Sequence, residues 1–212
     1  MTIHTNSGLK LYMESAIGTA EPIESISKAA PGVIASAGHP FVNGDNVLLE
    51  IQGMVELNGY LCKVVSVVAG VSFQVADVNG TTGIDTTLFS TFTSGTAKKV
   101  TLGTSITGVQ DFNFAGGEIK VQDTTTVNDT QDTQIVVGAT AQSADMTMQW
   151  DPASSAQQAM IAAFKTRANK GFKVLWPDGA FTMWYGTVGY TGAPGGGKQG
   201  VTTSPAKITM LG

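Results

Sequence analysis

Few residues of this 212-residue chain have types that could do chemistry: two histidines, one cysteine, and short glycine-lysine and aspartate runs. His39 sits in Gly38-His39-Pro40, a turn context that points to a structural role, and His4 stands in the N-terminal stretch. No Ser-His-Asp, His-Glu-x-x-His or Cys-x-x-Cys signature accompanies them. Gly195-Gly196-Gly197-Lys198 has the composition of a phosphate-binding loop. That loop needs Gly-x-x-x-x-Gly-Lys-Ser/Thr between a strand and a helix, and here Gln199 follows the lysine. Cys62 lies in the apolar run YLCKVVSVV with no histidine within ten residues, which makes it a buried, inert thiol. Asp123, Asp129 and Asp132 are spaced too widely for a calcium loop and lack its glycine and glutamate. Trp150, Trp176 and Trp184 read as core and subunit-contact aromatics rather than a sugar platform. The expectation is a chain that is no enzyme and holds no cofactor or metal.

The elements that would position such residues centre on residues 144–190. Met146, Met148 and Trp150 alternate with Thr147 and Gln149, the period of a half-buried strand. Asp151 and Pro152 break it, and Ser154 with Gln157 has the spacing of a capping box. Ala156, Ala159, Met160, Ala163 and Phe164 then place one apolar stripe on a helix over 154–168. Lys165, Arg167 and Lys170 suit the helix C-terminus, and Gly171 supplies its stop. Pro177-Asp178-Gly179 turns the strand FKVLW into AFTMWYGTVGY. One helix should lie on an aromatic antiparallel sheet, with Met160 and Phe164 pressing on the strands that carry Trp176 and Trp184.

Charged residues make up 13% of the chain, with 26 glycines, about half the charge of ordinary globular sequences. Low charge with high glycine and threonine suits a β-protein whose surface neighbours cover, since a lone soluble domain carries more charge. An uncharged secreted β-domain is the other reading. The net charge of −4 argues against wrapping a phosphate backbone, because no basic cluster exceeds Lys98-Lys99. No apolar run reaches transmembrane length. The N-terminus has no basic region followed by an apolar one, so synthesis in the cytoplasm is expected.

Along the chain, residues 9–13 alternate as a strand, and Pro22 with its polar neighbours makes 17–28 a loop with a short extended piece. From Ala30-Pro31-Gly32 to Lys99, the runs VIAS, DNVLLEI, YLCKVVSVV and VSFQVA are cut by Asn43-Gly44-Asp45, Asn58-Gly59, Ala69-Gly70 and Asn79-Gly80. Short strands with turns at that interval mean a small all-β barrel or sandwich. Residues 106–114 are a further strand, and Glu118–Gln122 and Gln134–Val137 flank DTTTVNDTQDT. This predicts a hairpin arm whose tip is Asp123, Thr124, Thr125, Thr126, Val127, Asn128, Asp129, Thr130, Gln131, Asp132 and Thr133. Its aspartates would repel one another in isolation, so ordering on docking is expected. Residues 191–200 form a loop, and VTTSPAKITML closes the sheet with Pro205 at an edge or bulge.

The order DMTMQW, SAQQAMIAAF, FKVLWPDG, FTMWYGTVGY, VTTSPAKITML resembles the major tail tube protein family of lambda-like long-tailed phages. Residues 30–99 are separately similar to a small β module of phage structural proteins, named for a likeness to a half-domain of ubiquitin-activating enzymes. The resemblance implies a mainly β tube domain with one packed helix, formed by 1–29 and 100–212, with 30–99 inserted and projecting outward. It implies hexameric rings stacked into a conduit in the virion, in which residues 123–133 join one ring to the next. It also implies tape measure and other tail proteins as partners, DNA passing the lumen without specific binding, and no membrane. The alternative function is a tail module in which 30–99 holds a carbohydrate or a host surface.

Overall fold

The computed structural model describes residues 8–76, 82–127, 130–196 and 200–211. His4, Asn79, Gly80, Asn128, Asp129, Gly197 and Lys198 lie outside the described residues. In chain order, β1 (Lys10–Met13) leads into β2 (Ala16–Ile23), β3 (Ser25–Ile26), β4 (Ile34–Ala35), β5 (Asn46–Gln52), β6 (Leu61–Val68), β7 (Ser72–Ala76) and β8 (Ser94–Thr101). Next come β9 (Thr104–Ile106), β10 (Val109–Ala115), β11 (Ile119–Asp123), β12 (Gln134–Ala139) and β13 (Ser143–Gln149). After α1 (Ser155–Thr166) the chain ends with β14 (Asn169–Leu175), β15 (Phe181–Gly189) and β16 (Thr203–Met210).

The first sheet has the order β10-β13-β16-β15-β14-β1-β9, the second β2-β8-β5-β6-β7-β4-β3, and β11-β12 stand apart as a hairpin. The fold is mainly β, antiparallel, with one helix, as the sequence predicts. Residues 17–28 depart from the expected loop, because β2 pairs along β8 and places Pro22 opposite Thr96. β2 is an edge strand, where a proline costs no ladder bond, and its outward residues need no apolar alternation. The second sheet therefore takes in two strands that precede Ala30. The strand expected over 106–114 is two strands, parted where Gly108 takes φ +73°.

Each sheet covers its own core. Alternate residues of β13, β14, β15 and β16 (Met146, Met148, Phe172, Val174, Trp184, Ile208) meet α1 through Ala156, Met160 and Ala163. The helix packs over β9 and β15. In the second sheet Val47, Leu49 and Ile51 of β5 face Val64, Phe73 and Val75. Leu48, on the opposite face of β5, joins Leu61 and Val100 in a third cluster that touches Leu102, Met183 and Tyr185. That third cluster is the seam between the sheets.

Both ends of the helix differ from expectation. Ser154 makes no capping side-chain bond. Gln157 turns inward instead, where its Oε1 accepts from the Asp151 N–H (3.2 Å) and from Tyr190 (2.8 Å), and its Nε2 donates to the Gln149 carbonyl (2.6 Å). The helix stops at Arg167 in the left-handed region, with φ 54°. Gly171 and Lys170 belong to β14. A Cβ on Gly171 would stand 3.2 Å from both Leu61 and Val100, so this glycine serves the close approach of the second sheet.

Candidate functional site

The residues with chemical potential are dispersed and occupied in packing. His39 is buried between Phe41 and Phe73, with ring centroids at 5.5 and 5.1 Å, and its Nδ1 accepts the Phe41 N–H (3.2 Å). Cys62 is buried in the second core. Gly195 exchanges backbone bonds with Thr203 and leads into a strand, not a helix. Among the described residues no three His, Cys, Asp or Glu side chains gather as a metal site.

The aromatic expectations divide. Trp184 lies in the core, stacked on Phe172 at 5.9 Å with Phe114 edge-on at 5.2 Å, and Trp176 packs at the core margin. Trp150 stays half exposed and donates through Nε1 to the Gly192 carbonyl (3.1 Å). Met160 is fully buried, but Phe164 is 41% exposed and does not press on the sheet. Phe164 and Gln157 stand seven residues apart and leave the helix ~20° apart. Gln157 has Tyr190 and β13 above it; two turns on, the same direction opens to solvent. Sequence periodicity gives that direction and not the cover.

Two surfaces stand out. The first is the arm. β10 ends at Ala115, and Gly116 and Gly117 follow at φ +89° and +81°. A Cβ on Gly116 would lie 2.2 Å from the Ala141 carbonyl oxygen, so only glycine fits where the arm leaves. Thr140 secures the root, its Oγ1 accepting the Glu118 N–H at 2.9 Å. Val121 stands opposite Val136 and Ile119 opposite Ala139, and Ile119, Val121 and Val136 are each more than half exposed. A two-stranded sheet with a bare apolar face is marginal alone in water.

The arm tip is partly ordered by itself. Asp123 Oδ1 accepts from the Thr125 hydroxyl (2.5 Å) and the Thr125 N–H (2.8 Å), and the Thr133 N–H donates to Thr125 Oγ1 (3.0 Å). Those bonds hold the Asp123 carboxyl below the usual aspartate range. The expected mutual repulsion of the aspartates overlooked this local capture, a habit of Asp and Thr in turns. Gly116→Ala is expected to lower the subunit melting temperature, by ~1 kcal/mol or more of stability, and to misdirect the arm. Thermal melts check the first effect and hydrogen exchange at Glu118 and Thr140, at the arm root, the second.

The second surface is the open face of β10, β13 and β16. Asn113, Asp145 and Lys207 form a row across these strands, next to a row of Asp111, Thr147 and Pro205. Lys207 Nζ lies 3.7 Å from Asp145 Oδ1. The same strands send Met146, Met148 and Ile208 into the core. This face is polar, with Asp111, Asp145 and Lys207 as its charges, and it escaped the sequence reading because β10 hides its alternation behind a register shift after Val109.

A cleft of about 520 Å3 lies at the arm root, lined by Gly116, Trp176, Trp184, Phe181, Tyr60 and Met210. It spans the seam between the sheets. Beside that seam Glu14 is buried, with Oε1 2.8 Å from Lys170 Nζ and Oε2 accepting the Gly171 N–H at 3.1 Å.

An antiparallel β fold with an apolar arm that stands apart from both sheets and an open polar face has the form of a protein that assembles with others. Residues 56–212 match the family model described as phage tail tube protein, TTP, and the chain belongs to that family. It is thus a structural component of a phage tail, of a kind that assembles with itself and with other tail proteins. Comparison with curated proteins found none that matches. Among the described residues no helix is long and apolar enough to cross a membrane.

Proposed function

We propose that copies of this chain close into hexameric rings that stack into the conduit of a long, lambda-like tail, through which DNA is ejected. The observation that carries this reading is the arm, whose exposed Ile119, Val121 and Val136 need a neighbour's surface to cover them. Joining the first sheets of successive copies removes open edges such as β10, which would otherwise pair indiscriminately. The face bearing Asp111, Asn113, Asp145 and Lys207 lines the lumen. Its few charges offer DNA neither a basic track nor strong repulsion. The second sheet rides outside as an inserted module bounded by Ala16 and Thr101. It docks at Gly171 through Leu61 and Val100, covering β14 and β15 on the face that carries the polar rows and leaving those rows on β10, β13 and β16 open. A tape measure protein and other tail proteins are its further partners.

The experiment replaces residues 124–133 by an Asn-Gly turn, which suits a two-residue hairpin. The subunit should keep its melting temperature while electron microscopy finds rings or monomers and no lengthened tubes. Normal tubes from this variant would refute the role of the arm. A wild-type tube whose wall carries the second sheet on the lumen side would refute the placement.

A further inference from the structure

Lys63 of β6 and Lys173 of β14 come from different sheets to one aromatic ring. Their Nζ atoms lie 5.7 and 4.6 Å from the centroid of Phe181. The ring face attracts both ammonium groups, yet the two repel each other. Among the described residues neither forms an ion pair with a carboxylate. Burial, and then the charge of Lys63, hold the Lys173 ammonium below the ordinary lysine range. The pair is a half-desolvated positive site with no counter-charge among the described residues, at the rim of the cleft that Phe181 lines.

The arm tip has the complementary charge. Residues 123–133 carry three aspartates and no cation. We propose that the tip of one copy, through Asp123 and Asp132, docks on Lys63 and Lys173 of a second copy. This rests on the reading that the arm joins copies. From Gly116 to Asp123 the arm extends ~23 Å, and Asp132 lies beyond it toward the tip. The arm root and Phe181 share one cleft and so one end of the subunit. A contact between tip and lysines joins two different surfaces of the chain, so it closes into a ring or, where its rotation does not close, propagates a filament.

The test uses the full chain and reads its critical concentration for tube growth. Lys63→Glu with Lys173→Glu should raise it ~tenfold or more, as like-charge juxtaposition at an interface does. Asp123→Lys with Asp132→Lys, which alters only the exposed tip, should do the same. Combining all four substitutions should bring growth back toward the original value. Restoration identifies the acid as belonging to a second copy; failure to restore in folded protein assigns the lysines to an acidic segment of another tail protein and overturns the proposal. Unaltered growth of the tip variant overturns it too, even where the lysine variants do not fold. If the Asn-Gly replacement abolishes growth while the tip charge variant grows normally, the arm reading stands and the lysine seat alone falls.

Discussion

Met160→Ala is expected to cost ~2–5 kcal/mol of subunit stability, the usual range for emptying a buried methionine site. For a chain of this length that is a fall of about 2–4 °C in melting temperature per kcal/mol. Met160 is fully buried under the sheet beside Phe172, Trp184 and Tyr190, with no path for solvent to fill the gap. Phe164→Ala removes a larger side chain one turn further on, yet it should cost less than ~1 kcal/mol, because Phe164 already meets solvent. Thermal melts of the unassembled subunit measure both. Equal losses would mean that α1 is rotated from the orientation described. A Phe164→Ala subunit that melts normally but assembles poorly would mark this side chain as a contact between copies.

Glu14→Ala should be the second large loss. The Glu14 carboxylate is 2% exposed and uses both oxygens, one for the Lys170 ammonium and one for the Gly171 N–H. Removing it leaves a cation and a buried donor without partners, and breaking fully buried pairs costs ~3–5 kcal/mol. Lys170 keeps partial contact with water, which reduces the expected loss to ~2–4 kcal/mol. Glu14→Gln keeps an acceptor for Gly171 and should lose less. Hydrogen exchange at Gly171 locates the effect: faster exchange in Glu14→Ala than in Glu14→Gln is expected. Identical rates would show that Gly171 is held by the sheet alone.

The strongly patterned elements were legible in the sequence. Met146 and Met148 alternate inward, FKVLW turns back at Pro177-Asp178-Gly179, and α1 buries Ala156, Met160 and Ala163. The arm was legible for the opposite reason, since an apolar-poor run between two short apolar ones has nothing of its own to pack against. Three features were not. β2 is an exposed edge strand whose partner, β8, lies far along the chain, so no local period announces it. Gly171 looks like a helix stop, because a glycine that admits a neighbouring sheet has no signature distinct from one that ends a helix. Lys63 and Lys173 converge from two sheets, a juxtaposition that exists only after the sheets dock.

The chain passes from the first sheet to the second at Glu14 and Ser15 and returns at Leu102 and Gly103. These crossings are neighbours, for the Ser15 N–H donates to the Thr101 carbonyl at 2.8 Å. Covalently the second sheet hangs from this one point, and the seam of Leu48, Leu61 and Val100 on Met183 and Tyr185 is its other hold. Backbone tension between the arm and the first sheet runs through β10, β13 and their neighbours and reaches the second sheet only across that seam. Away from Lys63 and from the seam residues Leu48, Leu61 and Val100, the amino acids of that sheet can change with little effect on the first sheet.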